Sequence, residues 1–160
     1  MIFCRGRERV NTQRRNDKIN LDYWVSVNDG GMEMKKVIPQ GTRKGGGHYA
    51  PGVISNGMLY ISGQLPIDPE TGVMPEGGVS VQAKMALGNV ERILLAAGLT
   101  RENVVQCRVY IPDVAYWDEV NAVYAAFFGA HKPARVVVPS RNLHGGALVE
   151  IEALAEMETE

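Results

Sequence analysis

Residues 51–63 read PGVISNGMLYISG, two short runs rich in β-branched and aromatic residues joined by Asn56-Gly57. That dipeptide supplies the positive φ angles a two-residue hairpin turn needs, so the segment predicts an antiparallel hairpin and commits the chain to at least one sheet. Beyond the hairpin, helical and β-rich patterns take turns. The run 64–78, QLPIDPETGVMPEGG, carries three prolines and reads as a surface loop. In VSVQAKMALGNVERILLAAG, Ala83, Leu87, Val90, Leu94 and Ala97 recur at spacings of four and three, the stripe of an amphipathic helix, and Gly98 is a natural stop. VVQCRVYI (104–111) alternates, with Val105, Cys107, Val109 and Ile111 expected on one face. A second helix comes next, with Asp113 as its cap, Trp117, Val120, Tyr124 and Phe127 as its apolar stripe and Gly129 as its end. Two β-rich runs, 134–139 and 147–157, close the chain.

The order β-β-α-β-α-β-β predicts an α+β fold: one sheet of four to six strands with both helices on one face. A monomer would leave the other face of the sheet partly apolar, so a closed homo-oligomer is expected to cover it.

Residues 1–33 show no sustained period of 2 or 3.6 and are read as an N-terminal extension to a single domain spanning 34–160. Gly30-Gly31 before Met32 and Met34 suggests a ribosome-binding sequence read as protein, with the natural start at one of these methionines. Charge divides at the same end. Residues 1–51 carry 10 Lys/Arg against 5 Asp/Glu, whereas 52–160 carry 7 against 13. An acidic folded part is poorly suited to neutralising phosphates, so nucleic acid is not an expected partner. No apolar run approaches a membrane span and no secretory h-region is present, which points to a cytoplasmic protein without membrane association.

The chemistry-bearing residues are few. Cys4 and Cys107 lack C-x-x-C spacing and are expected as reduced thiols, Cys107 as a small buried hydrophobe. His48, His131 and His144 show no metal-ligand spacing, so no metal site is expected. Gly45-Gly46-Gly47 lacks the Gly-Lys-Ser/Thr ending of a phosphate loop. If the last two strands pair directly as an antiparallel hairpin around loop 139–146, Val138 meets Ala147 and Arg135 stands opposite Glu150. The pair could then address one small molecule, or serve as a cross-strand salt bridge. Glu150, Glu152 and Glu156 share a face by alternation, either as a solvated surface or as a source of acid–base chemistry.

The segments HYAPGV, LYISGQLPIDPETG, VNAVYAAFF, PARVVVP and ALVEIEALA, matching in order across roughly 34–160, resemble the RidA/YjgF family. The resemblance implies a chorismate-mutase-like fold with one mixed sheet, a homotrimer with inter-subunit clefts, no cofactor, and hydrolysis of reactive enamines and imines such as 2-aminoacrylate to 2-keto acids and ammonia. Arg135 of Pro133-Ala134-Arg135 matches the family's arginine and Glu150 the glutamate of its last strand; these are the implied catalytic pair. Tyr49, Ser62, Gly63 and Asn121 match further pocket positions. Val137, where many members have a cysteine, and His144 of the loop 139–146 complete the expected substrate-binding set. Ala50-Pro51 also departs from the common Ser-Gln. A start near Met34 agrees with where the family's sequence begins. Two other readings share these motifs: a metabolite-binding trimer without catalysis, and an endoribonuclease or translation inhibitor.

Overall fold

A computed structural model describes residues 34–43 and 47–158. The N-terminal extension and the proposed start at Met32 lie outside the described residues, as do Lys44, Gly45 and Gly46. The described chain forms six strands and two helices: β1 Lys35–Val37, β2 Gly52–Ser55, β3 Met58–Gln64, α1 Val79–Ala96, β4 Val104–Ile111, α2 Trp117–Phe128, β5 Ala134–Pro139 and β6 Glu150–Glu156. The hairpin forms as expected. Asn56 (φ 51°) and Gly57 (φ 71°) take the two left-handed positions of the turn, and Ser55 pairs with Met58 across it. The short strand β1, absent from the sequence reading, adds to the outer edge of β2.

The six strands form one mixed sheet in the order β1-β2-β3-β6-β4-β5. Both helices pack on one face, so the α+β architecture read from the sequence is the architecture found. Leu59 and Ile61 of β3, Cys107, Val109 and Ile111 of β4, and Ile151, Ala153 and Ala155 of β6 point into the core. They meet Ala83, Ala86, Leu87, Val90, Ile93 and Leu94 of α1 and Val120, Tyr124 and Phe128 of α2. Gly98 (φ 77°) and Gly129 (φ 61°) end the helices as expected. Asp113 does cap, but its carboxylate accepts from Ala115 N at 2.9 Å and closes a 3₁₀ turn (114–116), after which α2 begins.

Two expectations fail here. The strands β5 and β6 are not a hairpin. β5 runs parallel to β4, β6 runs antiparallel to β4 on its other side, and β4 therefore separates them. Arg135 aligns with Cys107 and Glu150 with Tyr110, so Arg135 and Glu150 are not cross-strand partners. The physical reason is burial: β6, with Ile151, Ala153 and Ala155 facing the core, suits the centre of the sheet. The second failure is Val105. The register shifts between Val104 and Gln106, which leaves Val104 buried and turns Val105 out, 45% exposed.

The face without helices carries Tyr60 and Val136, both more than two-fifths exposed, with Leu154 between them. It also carries one polar cluster. Glu152 Oε1 accepts from Arg108 Nη1 at 3.0 Å and from the Tyr110 hydroxyl at 3.1 Å. Partial burial and then the Glu152 carboxylate push the Tyr110 phenol above its ordinary value. No helix among the described residues is long and apolar enough to cross a membrane.

Candidate active site

The fold gathers the site residues into two groups rather than one. The first is built on α2 and the edge strand β5. Arg135 lies on the helix-covered side of β5, level with Cys107, and its Nη1 donates to Asn121 Oδ1 at 3.0 Å. Its guanidinium carbon sits 4.6 Å from the centroid of the Tyr124 ring and 5.6 Å from that of Trp117. These neighbours are uncharged. Among the described residues Arg135 makes no ion pair, so a half-buried cation stands with polar and aromatic support but no counter-charge. A cleft of about 340 Å³ lies alongside, bordered by Asn121, Tyr124, Lys132, Pro133 and Arg135.

Behind this group Cys107 is fully buried, and burial pushes its thiol up to about 11. It stays a neutral thiol near pH 7, filling core space as the alternation of its strand suggests. The Tyr124 hydroxyl is buried without a hydrogen-bond partner of good geometry. Burial first, and the adjacent Cys107 second, drive this phenol far upward, so it is neither acid nor base near neutrality.

The second group is built on β3, β6 and the strand-entry segment 49–51. Glu150 opens β6 on the face opposite to Ile151. Its carboxylate occupies the space beside Gly63: a methyl group at position 63 would overlap Glu150 Oε1. The register of β3 against β6 shifts at this point, between Ile61 and Gln64, so Ser62 and Gly63 bulge where Glu150 approaches. Ser62 holds the entry segment in place, its N–H donating to Pro51 O at 2.9 Å and its hydroxyl to Ala50 O at 2.7 Å. Tyr49, 65% exposed, stands directly before that anchored stretch. Tyr49 and Gly63 both line a cavity of about 370 Å³ beside α1.

Two buried amides on α1 fix the strands that carry this second group, and the sequence reading missed both. Asn89 Nδ2 donates to Leu65 O at 3.0 Å and Ile67 O at 2.9 Å, pinning the chain just after Gly63. Gln82 Oε1 accepts from Leu148 N at 2.8 Å, pinning the chain just before Glu150. Each flanks the apolar stripe, next to Ala83 and Val90, and nothing local distinguishes it from a solvated surface amide.

The remaining expected site residues fall unevenly. Val137 pairs with Val109 and packs against the core on the same side as Arg135. His144 is exposed in a 3₁₀ turn, 144–146. Glu152 is engaged by Arg108 and Tyr110, and Glu156 is exposed, so Glu150 is the carboxylate placed beside other site residues. Among the described residues no group of three or more His, Cys, Asp or Glu side chains is arranged to hold a metal ion.

Within one chain the two groups do not meet. Arg135 and Glu150 lie two strands and about three residues apart, roughly 14 Å along the sheet, and they project from opposite faces. One substrate of a few carbon atoms cannot touch both.

The endoribonuclease L-PSP family model matches residues 43–157, a span that holds every residue of both groups. The chain belongs to the RidA/YjgF family. A RutC family protein of Pyrococcus horikoshii is 40% identical over 126 residues, covering 78% of this chain and 100% of that one. The bovine 2-iminobutanoate/2-iminopropanoate deaminase is 42% identical over 68% of this chain and 80% of its own. Among solved structures, Escherichia coli TdcF with bound serine superposes with a TM-score of 0.72 at 35% identity, covering 78% of this chain and 99% of TdcF.

Proposed function

We propose that this RidA/YjgF protein hydrolyses carboxylate-bearing imines and enamines, such as 2-aminoacrylate, to 2-keto acids and ammonia. It does so in clefts of a cyclic homotrimer, each cleft joining the Arg135 group of one copy to the Glu150 group of the next. The observation that carries this reading is Arg135 itself, a half-buried guanidinium held by Asn121 and two aromatic rings with no carboxylate partner among the described residues. A partly desolvated cation of this kind is suited to a ligand anion. The partly apolar open face of the sheet, with Tyr60 and Val136 exposed, supports its burial against further copies. The serine in TdcF supports the ligand class, because it carries a carboxylate next to a carbon bearing nitrogen. The name of the bovine relative supports the reaction.

The chemistry divides between the two groups. Arg135 takes the substrate carboxylate through paired hydrogen bonds and sets the C=N carbon near Glu150. Glu150 orients a water and takes its proton as the oxygen attacks that carbon. The proton passes to the nitrogen, and the carbinolamine collapses to the keto acid and ammonia. Tyr49 closes the mouth of the cleft. A ribonuclease reading has less to work with, since residues 52–160 carry seven basic against thirteen acidic side chains.

The test is release of 2-keto acid when the purified protein is added to an amino-acid oxidase or serine dehydratase that generates short-lived imines. Acceleration above the spontaneous rate is expected, from a particle three times the 17.5 kDa chain mass by light scattering. A particle of that size with no acceleration across several amino acids would instead support a trimer that binds metabolites without turning them over.

Gly63→Ala probes the Glu150 group. The added methyl meets the far end of a flexible side chain, so the fold adjusts by moving the carboxylate. Turnover should fall by roughly 10- to 100-fold, the scale on which a catalytic group misplaced by about 1 Å matters. The melting temperature should stay within a few degrees. Unchanged turnover would mean that the position of Glu150 is not critical.

A further inference from the structure

Trp117, Asn121 and Tyr124 lie on α2 at successive spacings of four and three, one face of the helix, and all three side chains meet one group, the Arg135 guanidinium. From this geometry we propose that the three side chains form a preset cradle for Arg135. Trp117 and Tyr124 are then positioning residues for carboxylate recognition, acting through the arginine rather than on the substrate. The proposal rests on the carboxylate-binding role of Arg135 given above.

Three observations carry it. First, the Tyr124 ring lies 4.6 Å from the guanidinium carbon, inside the range in which a ring face attracts a cation, and Trp117 stands at 5.6 Å. Second, Asn121 takes Nη1, and among the described residues the guanidinium makes no other hydrogen bond. The Nε and Nη2 edge is therefore left for the two oxygens of a carboxylate. Third, Trp117 is not accounted for by the core, and Tyr124, though buried in it, also presents its ring to the arginine. Trp117, read from sequence as part of the core stripe, is 39% exposed, whereas Val120 and Phe128 are buried. The Tyr124 hydroxyl has only the Cys107 thiol beside it and no hydrogen bond of good geometry, so what the residue supplies to the arginine is its ring.

An arginine side chain has four rotatable bonds, and a guanidinium free to wander meets a small carboxylate in the right pose only part of the time. Rings on its flank and an amide on one nitrogen restrict it before substrate arrives, which lowers the ordering cost of binding. The cradle should therefore act mainly on affinity and KM, and less on kcat.

The experiment titrates 2-oxobutanoate, a stable stand-in for a small 2-keto acid product, into the intact protein by calorimetry, beside steady-state turnover. Tyr124→Leu should weaken binding by roughly 10-fold and Trp117→Leu by roughly 3-fold, with KM rising more than kcat falls. Tyr124→Phe, which keeps the ring and removes only the hydroxyl, should restore affinity to within about two-fold. Arg135→Ala is the reference. If it abolishes binding while Tyr124→Leu and Trp117→Leu bind as wild type does, the cradle is refuted and the role of Arg135 stands. If Arg135→Ala binds normally, the carboxylate reading fails first and takes the cradle with it. Should Tyr124→Leu not fold, Trp117→Leu, at a half-exposed position, decides the matter alone: a loss of affinity supports the cradle and wild-type affinity refutes it.

Discussion

Replacing Arg135 by lysine should lower kcat/KM for a small imino acid by roughly 100- to 1,000-fold, about 3 to 4 kcal/mol of transition-state stabilisation, although the positive charge is kept. The expectation separates two contributions that removing the side chain would merge. If Arg135 acted only as a positive field drawing in an anion, a lysine ammonium at the same place would retain most of the effect. If it acts as a fork, lysine fails for geometric reasons. Its three donors radiate from one atom, so it cannot present two parallel N–H groups to two carboxylate oxygens while a third nitrogen rests on Asn121 Oδ1. Assembly should survive, because Arg135 makes no ion pair among the described residues and its contacts are with its own α2. Measured kcat/KM beside the mass of the assembled particle gives the answer. A lysine variant within about three-fold of wild type would reduce Arg135 to an electrostatic lure, since lost bidentate contacts cost far more than that.

The parts of this fold legible in the sequence are those set by local chemistry. Asn56-Gly57 dictates its turn through backbone sterics, and the 83–97 stripe dictates its helix through spacing. Both are found where expected. The strand partners of β5 and β6 are not legible in this way. Two β-rich runs separated by a short loop look like a hairpin, and only the competition among all strands for the buried centre reveals that β6 enters between β3 and β4. The same limit hides the bulge at Val105 and the short strand Lys35–Val37, which has no alternation of its own. Of the candidate site, motif alone names Arg135, Glu150, Gly63 and Asn121, and the structure adds that they lie together in two pairs. Gly63 makes room for the Glu150 carboxylate, and Asn121 holds Arg135. Trp117 is deceptive because a tryptophan at helical spacing looks like core, and its actual neighbour is a cation eighteen positions away.

That β4 divides Arg135 from Glu150 turns a question of register into one of stoichiometry, and mixed assemblies should answer it. Arg135→Ala and Glu150→Ala are each expected to be inactive as pure proteins, one lacking the carboxylate fork and the other the group that holds water. Co-assembled in equal amounts they should recover about a quarter of wild-type activity. In the proposed cyclic trimer each cleft would take Arg135 from one copy and Glu150 from its neighbour, so an intact cleft would need the Glu150 variant at one position and the Arg135 variant at the next, each with a chance of about one half. Diluting wild type with an equal amount of the double variant gives an independent reading. Clefts shared between chains should leave about a quarter of the activity of an all-wild-type assembly, whereas sites complete within one chain should leave about half. If the single variants fail to complement while mixed trimers demonstrably form, the site is not divided between chains. The shared-substrate role of one of the two would then be withdrawn, because the sheet register keeps Arg135 and Glu150 of one chain too far apart to touch one small molecule.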